Sequence, residues 1–281
     1  MPNPLFRIED LRCSYNGKDV VVHIKDLTIE RGKFIGLLSV SGGGKSTTLE
    51  TLGLMNRTFL PDSNITFFPE ETGAGYSYTD LWKPSQEKAI SALRARYFSF
   101  IFQRTNLMPN FTAYENICIT QMIQGKSQAE AIVHAKEVME ELGLEKVDES
   151  KKAYELSGGE QQRVAFVRAI TPEFSVIFGD EPTGNLDDEN SRLLMDRLQK
   201  TIREKNRTAL IVSHDLDLMK EYADQLLVLQ KPHKTGELLP ENVFHCQISP
   251  EGARVWQDHT GQAVPELNRA IRRIMKWEDA A

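Results

Sequence analysis

A glycine-rich turn near residue 40 carries the clearest chemistry in this chain of 281 residues. Glycines at positions 42 to 44 allow the backbone to curl until its N–H groups point at phosphate oxygens, and Lys45 adds a positive charge. The hydroxyl of Ser46 is suited to bind Mg²⁺. A strict phosphate loop has glycine six positions before the lysine, whereas this chain has Ser39. The residues predicted to bind a nucleotide here are Ser41, Gly42, Gly43, Gly44, Lys45, Ser46 and Thr47.

Two carboxylates follow an apolar segment later in the chain. The predicted buried strand at 175–178 is followed by Gly179, and Asp180 and Glu181 come directly after that glycine. At the carboxyl edge of a parallel sheet these acids lie beside the phosphate loop, where Asp180 can hold Mg²⁺ and Glu181 can polarise the attacking water. An isolated Asp-Glu pair before a proline is more often a solvated turn. Together with the glycine loop, the pair indicates ATP hydrolysis.

A second helix start in the chain is also suited to bind an anion. Residues 156–163 read Leu-Ser-Gly-Gly-Glu-Gln-Gln-Arg, so that a serine and two glycines precede a predicted helix. The free N–H groups and the dipole of a helix N-terminus attract negative charge. The simpler interpretation is that Ser157 only caps the helix.

The elements that must position these residues alternate between strands and helices. A buried strand at 34–38 runs into the glycine loop, and a helix at 47–54 follows it, which is the context that a phosphate loop requires. Further strands are predicted at 20–24, 27–29, 65–68, 98–102, 175–178, 208–212 and 226–229, with helices at 85–96, 127–142 and after 159 to 170, an amphipathic stretch at 190–205 and a final helix at 264–277. The alternation predicts an α/β fold with a mainly parallel sheet.

Composition narrows the class of protein. The 34 basic and 40 acidic residues give a net charge of −6, which provides no general attraction to nucleic acid or to an anionic membrane surface. The three cysteines have no paired or metal-binding spacing, which favours the reducing cytosol. We find no signal peptide and no apolar run of the roughly 20 residues that a transmembrane helix needs. A role at a membrane therefore requires a partner.

The order of these motifs resembles the ABC ATPase family, from about Leu5 to Leu229. The resemblance implies a P-loop NTPase core with an antiparallel β subdomain at the N-terminus and an inserted α-helical signature subdomain. The expected divisions are an ABC ATPase domain at 1–230, with the helical subdomain at about 104–165 and a surface insertion at about 57–84, and a C-terminal extension at 231–281.

The resemblance also assigns roles to single residues. The signature loop of one copy, formed by Ser157, Gly158, Gly159 and Glu160, is expected to close over the γ-phosphate bound by the other copy. The catalytic residues are expected to be Glu181, His214 and Lys45, the Mg²⁺ ligands Ser46, Gln103 and Asp180, and the D-loop acid Asp187 within residues 184–187. Tyr15 is expected to stack on adenine and Gln103 to contact the nucleotide site. Taken alone, Tyr15 would more often serve packing, and His214 would more often be an ordinary surface residue.

The same resemblance implies partners and location. We expect a homodimer that binds ATP and Mg²⁺, an integral membrane subunit with a periplasmic partner as a further candidate, no nucleic acid, and a peripheral position at the cytoplasmic face of the inner membrane. Residues 102–117 and 180–187 are similar to the lipoprotein-releasing, macrolide-exporting and cell-division ATPases. This branch implies export, lipoprotein release or mechanotransmission. The alternatives are an ABC ATPase that switches a soluble partner, or a regulatory subunit with weak turnover if Ser39 impairs the loop.

The last predicted helix has an apolar stripe formed by Val264, Leu267, Ile271 and Ile274. The stripe predicts docking on the chain's own core, with a partner contact as the alternative.

Overall fold

Strands and helices alternate along most of the computed structural model, which describes residues 3–70, 73–144, 147, 150–184 and 186–275. The strands are β1 (Pro4–Cys13), β2 (Val22–Glu30), β3 (Phe34–Ser39), β4 (Asn64–Phe67), β5 (Tyr76–Ser77), β6 (Phe98–Ile101), β7 (Val176–Asp180), β8 (Thr208–Val212), β9 (Gln225–Leu229), β10 (Gly236–Leu238), β11 (Val243–Ile248) and β12 (Arg254–Gln257). The helices are α1 (Lys45–Leu52), α2 (Tyr78–Leu81), α3 (Glu87–Tyr97), α4 (Ala113–Ile123), α5 (Gln128–Glu141), α6 (Gly158–Ile170), α7 (Asp188–Glu204), α8 (Leu216–Tyr222) and α9 (Leu267–Met275).

The larger sheet positions the candidate site. Its strand order is β12-β11-β9-β3-β8-β7-β6, and the strands from β9 to β6 are all parallel. Every residue of β3 is buried, as expected for a strand covered on both faces. Only β8 separates β3 from β7, so the loop after β3 and the acids after β7 lie at the same edge of the sheet. The prediction of a mainly parallel sheet is confirmed.

The smaller sheet has the order β10-β2-β1-β4-β5. β1, β2, β4 and β5 pair antiparallel, which confirms the expected N-terminal β subdomain, and β10 adds a strand parallel to β2. The two predicted strands at 20–24 and 27–29 form the single strand β2. The prediction divided this strand because Lys25 and Asp26 are both exposed, which breaks the alternation of apolar and polar residues. At this point Asp10 of the paired strand β1 takes a φ of +51°, and both strands change the face that they bury.

Three helices between β6 and β7 begin with complete capping boxes. Thr112 caps α4, Ser127 caps α5 and Ser157 caps α6, each with a glutamate three residues later that closes the box. α4 packs on both α5 and α6, within the range expected for the helical subdomain. Gly143, which follows α5 with a φ of +65°, ends the predicted helix at 127–142.

The segment after residue 230 contributes to both sheets and to the core. β10 joins the smaller sheet, and β11 and β12 extend the larger sheet beside β9 in antiparallel orientation. α9 buries Leu267, Ile271 and Met275 in the same core as Phe34. The predicted docking of this helix on the chain's own core is confirmed. The helix begins at Leu267, three residues later than predicted, and residues 276–281 lie outside the described part.

Candidate nucleotide site

The glycine turn joins β3 to α1. Gly44, with a φ of +90°, occupies the N-cap position of α1, and Gly42 has a φ of +66°, so both residues use backbone conformations that favour glycine. The Lys45 side chain folds back over the turn and donates to the carbonyl oxygens of Ser39 at 2.9 Å and Val40 at 3.2 Å. Burial lowers the pKa of Lys45, while the charges of Glu181 and Asp180 act to raise it. The lysine is thus held at the loop with two carboxylates close enough to affect it.

Ser39, where the turn departs from the usual pattern, lies beneath the loop. Its side chain is buried, and its Oγ has no hydrogen-bond partner in the part of the chain that the structure describes. A β-carbon built at Gly43 would lie only 1.8 Å from Ser39 Oγ. The loop therefore accommodates a serine at position 39 because residue 43 has no side chain.

Ser46 and Asp180 meet across the edge of the sheet. Ser46 Oγ donates to Asp180 Oδ2 at 2.8 Å. A hydroxyl beside a carboxylate is the kind of oxygen pair that Mg²⁺ uses when phosphate oxygens and water complete its coordination. Gln103, the third predicted Mg²⁺ ligand, is exposed after β6, and between the described residues we find no hydrogen bond from it to either of the other two. The structure thus brings together two of the three predicted Mg²⁺ ligands.

Glu181 lies under His214 at the end of β7. The Glu181 backbone has a φ of +51°, and its N–H donates to the carbonyl of Val212 at 3.0 Å, which fixes the turn. Its Oε2 accepts from the His214 N–H at 3.4 Å, and its Oε1 lies 3.2 Å from His214 Nε2. The Glu181 side chain is 13% exposed and the His214 side chain 56%. Burial raises the pKa of Glu181, partly offset by the charge and backbone N–H of His214 and by the charge of Lys45.

Tyr15 stands on the neighbouring loop between β1 and β2. It is 65% exposed, and its hydroxyl lies 2.9 Å from Thr47 Oγ1 at the start of α1. The exposure argues against a core packing role for this ring. The hydrogen bond holds the tyrosine next to the phosphate loop, with most of the ring open to a flat ligand.

The predicted signature residues lie at the start of α6. Ser157 Oγ accepts from the Glu160 N–H at 3.3 Å, and Glu160 Oε2 accepts from the Ser157 N–H at 2.7 Å. This last hydrogen bond is the largest cause that lowers the pKa of Glu160. Ser157 and Gly158 are exposed, and in the described ranges no hydrogen bond or ion pair connects residues 157–160 with the phosphate loop. One chain therefore does not bring these two anion-binding elements into contact.

The D-loop segment leads from the acids to α7. Asp187 caps α7 by accepting from the Asn190 N–H at 2.8 Å, and this hydrogen bond lowers the pKa of Asp187. Asn185 lies outside the described residues. A β-carbon at Gly159 would lie 3.9 Å from Leu186 Cδ2, so the signature and D-loop segments of one chain are neighbours.

Gln162, for which no role was predicted, ties the signature helix to the segment that follows the two acids. Gln162 is buried, and its Nε2 donates to the carbonyl of Pro182 at 2.7 Å, directly after Glu181. The sequence places Gln162 inside the signature segment, which was the one sign that it contributes to the site. Its hydrogen-bond partner lies 20 residues away, so no local sequence pattern reveals the contact.

The family model for ABC transporters matches residues 22–184 of the chain. The chain belongs to the ABC transporter family. This ABC ATPase is 36% identical over 235 residues to the lipoprotein-releasing system ATP-binding protein LolD of Aquifex aeolicus, with 83% of the chain and 97% of LolD covered. It is 32% identical over 244 residues to LolD of Zymomonas mobilis, with 85% of the chain and 97% of that protein covered.

Solved structures of cassettes have the same fold. The dimeric structure of the bacterial ABC transporter cassette MJ0796 aligns with a TM-score of 0.67 and 25% identity, over 83% of this chain and 94% of that one. A post-hydrolysis state of the same cassette, bound to ADP and Pi, aligns with a TM-score of 0.67 over 79% and 93%. The predicted fold and the ATPase activity are thereby confirmed. None of the helices in the described ranges combines the length and the apolar composition that a bilayer crossing needs.

Proposed function

We propose that two copies of this ABC ATPase bind MgATP head to tail and that hydrolysis drives a separate membrane subunit. One observation carries the proposal. The phosphate loop, Asp180 and Glu181 cluster within a single chain, whereas the exposed signature serine at the start of α6 makes no contact with them among the described residues. Each chain thus presents a catalytic half and, at a different place, an anion-binding half. A head-to-tail pair brings the two halves together twice, and the related cassette MJ0796 has been solved as a dimer.

The side chains of the catalytic half match the needs of phosphoryl transfer. Lys45 and the loop N–H groups bind the phosphates, and Glu181 accepts a hydrogen bond from the water that attacks the γ-phosphate. His214, whose ring lies 3.2 Å from Glu181, orients that carboxylate and can reach the γ-phosphate from its exposed side. Mg²⁺ held by Ser46 and Asp180 would neutralise charge on the β- and γ-phosphates. The raised pKa of Glu181 suits a residue that must attract a proton.

An apolar groove beside Gln103 is the proposed docking surface for the membrane subunit. It has a volume of about 470 Å³ and lies between α3, α4 and α6, with Met55, Phe100, Phe102, Ile119 and Ile123 among its lining residues. Ile123 is 67% exposed and Met55 41%. Arg168 of α6 donates to the carbonyls of Asn106 and Thr105, each at 2.8 Å, and so holds the segment that follows Gln103. A partner helix in this groove would therefore contact the segment that leads to the nucleotide site.

The relatives support a bacterial membrane complex as the setting. LolD proteins are ATP-binding proteins of a lipoprotein-releasing system, and the chain covers 97% of two of them. We propose that this chain likewise acts at the cytoplasmic face of the inner membrane, bound through its partner, in lipoprotein release, export or mechanotransmission.

Mixing two inactive variants tests the shared site. Lys45→Ala destroys the catalytic half, and Ser157→Arg destroys the anion-binding half formed by the signature residues, so each homodimer should lose phosphate release. In the mixed dimer, one site combines the intact catalytic half of the Ser157→Arg copy with the intact anion-binding half of the Lys45→Ala copy. We expect phosphate release to return to a measurable fraction of the wild-type rate, at most about one half of it per mixed dimer.

The matched control mixes Lys45→Ala with Glu181→Gln. Both substitutions damage the catalytic half, so neither site of the mixed dimer is intact and the rate should stay low. Recovery in both mixtures, or in neither while each variant still dimerises, would contradict a shared head-to-tail site.

A further inference from the structure

The turn between β9 and β10 is fixed against the phosphate loop. Gln230 and Glu237 close it through two backbone hydrogen bonds of 2.9 and 2.8 Å, and the Gly236 N–H donates to the carbonyl of Val21 at 2.9 Å. Thr235 Oγ1 donates to the carbonyl of Val20 at 2.7 Å. A β-carbon at Gly236 would lie 2.0 Å from the carbonyl oxygen of Gly43, so the backbones of the turn and of the phosphate loop are in direct contact.

Lys231, the first residue of this turn, reaches the phosphate loop. Its Nζ lies 3.2 Å from the position that a β-carbon of Gly42 would occupy. The side chain is half-buried, and within the described part of the chain it has no hydrogen-bond or ion-pair partner. A partly buried ammonium without a counter-charge is unfavourable, and an anion on the adjacent loop would relieve that cost.

The charged residues around the turn do not pair with the Lys231 ammonium in the described part of the chain, which leaves it free to bind an anion. His233 and Lys234 are exposed, and the ammonium of Lys234 adds to the positive charge of the turn. The Asp19 carboxylate accepts from Asn16 Nδ2 at 2.7 Å, and that of Glu237 accepts from Gln230 Nε2 at 3.2 Å. Lys45, in contrast, already donates to two loop carbonyls.

We propose that Lys231 is a second phosphate-binding lysine of this site, which contacts the polyphosphate of the nucleotide beside Gly42, in addition to the α1 residue Lys45. The inference rests on the proposed nucleotide binding at the loop and adds to it a residue from the C-terminal segment. A lysine is suited to this role because its flexible stem lets the ammonium follow the phosphates as a point charge.

Binding of MgATP and of inorganic tripolyphosphate to the purified chain, measured by calorimetry, tests the inference. Lys231→Gln should weaken binding of both ligands about five- to tenfold, as expected for one lost charge contact near the surface. The loss should shrink in about 1 M salt, where the screening length is only about 3 Å. Lys231→Arg, which keeps the charge, should bind both ligands within about twofold of wild type.

Lys234→Gln is the matched control, because it removes the same charge from an exposed position in the same turn. It should change binding by less than about twofold. Wild-type affinity in Lys231→Gln, or an equal loss in Lys234→Gln, would overturn the inference while leaving the proposed function intact. If the wild-type chain itself bound neither ligand, the proposed nucleotide site and the inference would both fail.

Discussion

Glu181 combines a buried carboxylate with a left-handed backbone. Non-glycine residues rarely take positive φ, and such positions persist where surrounding contacts hold them, often at functional sites. Here the contacts are the hydrogen bond from the Glu181 N–H to Val212 and the proximity of His214 to the carboxylate. The turn therefore holds the carboxylate against His214, where only 13% of the Glu181 side chain is exposed.

Substitution of Glu181 by Gln should separate binding from hydrolysis. The amide keeps the size of the side chain but cannot accept a proton, so we expect phosphate release to fall by about 10²- to 10⁴-fold. MgATP binding should remain, and the ATP-bound dimer should persist because it no longer hydrolyses its nucleotide. Phosphate release and size-exclusion chromatography with ATP measure the two effects, and normal turnover in this variant would refute the role of Glu181.

Removal of the His214 ring should shift the pH dependence of turnover. Only the charged form of Glu181 can act as a base, so turnover falls as the pH drops through the Glu181 pKa. The charge of His214 lowers that pKa, while the backbone N–H of residue 214 survives substitution. As the pH is lowered, the residual activity of His214→Ala should therefore begin to fall at a higher pH than wild-type activity does. A pH–rate profile measures this midpoint, and a midpoint that is unchanged or lower would contradict the contact between His214 and Glu181.

Ser39 and Gly43 should behave as a coupled pair. Gly43→Ala places a β-carbon 1.8 Å from Ser39 Oγ, so we expect MgATP affinity to fall by at least about tenfold, equal to about 1.4 kcal/mol. Ser39→Gly removes the clashing atom, and in the double variant it should restore most of that affinity. Calorimetric titrations of both single variants and the double variant give the coupling energy. Additive losses would show that Ser39 does not set the requirement for glycine.

At the scale of elements, the sequence predicted the parts whose pattern is local. β3, β7, β8 and β9 are short apolar runs because they are covered on both faces, and glycine or acidic residues follow two of them, so strand and loop were predictable together. The elements that were not predicted are β1, β5, the strands β10 to β12, and the helices α2, α4 and α8. Several of them are short or half-exposed and are stabilised by partners far away in the sequence, as β11 is by β9.

The site shows the same division. The phosphate loop, the acid pair and the helix start at Ser157 each appear within a few consecutive residues. In contrast, the contact of Gln162 with Pro182 and that of Lys231 with the Gly42 region depend on how distant segments pack. α6 connects three parts of the proposed machinery. It carries the signature serine at its start, Gln162 in its second turn and Arg168 near its end.

The apolar groove can be tested by a charge placed on α4. Ile123→Glu puts a carboxylate into the groove, and burial of an unpaired charge under a partner costs several kcal/mol. We expect recovery of the membrane subunit from detergent extracts to fall by about tenfold or more, with MgATP binding by the purified chain unchanged. Val133→Glu on α5, where the wild-type side chain is 60% exposed outside the groove, is the control. Equal recovery of the partner with both variants would rule the groove out as the docking surface.

At the scale of the whole molecule, the residues after 230 complete the ATPase fold. β10 extends the smaller sheet beside the phosphate loop, and β11 and β12 extend the larger one. Trp256 of β12 and the buried face of α9 belong to the same core as Met219 of α8. Since α8 begins directly after Asp215, which follows His214, the C-terminal segment supports the element next to the proposed catalytic histidine.

Stability measurements should show that α9 is a structural part of this core. Ile271 is fully buried, so Ile271→Ala should lower the free energy of unfolding by about 2–5 kcal/mol. Arg272→Ala, at an exposed position of the same helix, should change it by less than about 0.5 kcal/mol. Deletion of residues 260–281 removes all three buried side chains of α9 and should destabilise the chain more than Ile271→Ala does.

Recovery of the membrane subunit should be unchanged for Ile271→Ala at temperatures where the variant is folded, because α9 packs inward. Loss of the partner from a folded Ile271→Ala variant, or unfolding free energies equal to wild type, would instead assign α9 to the interface.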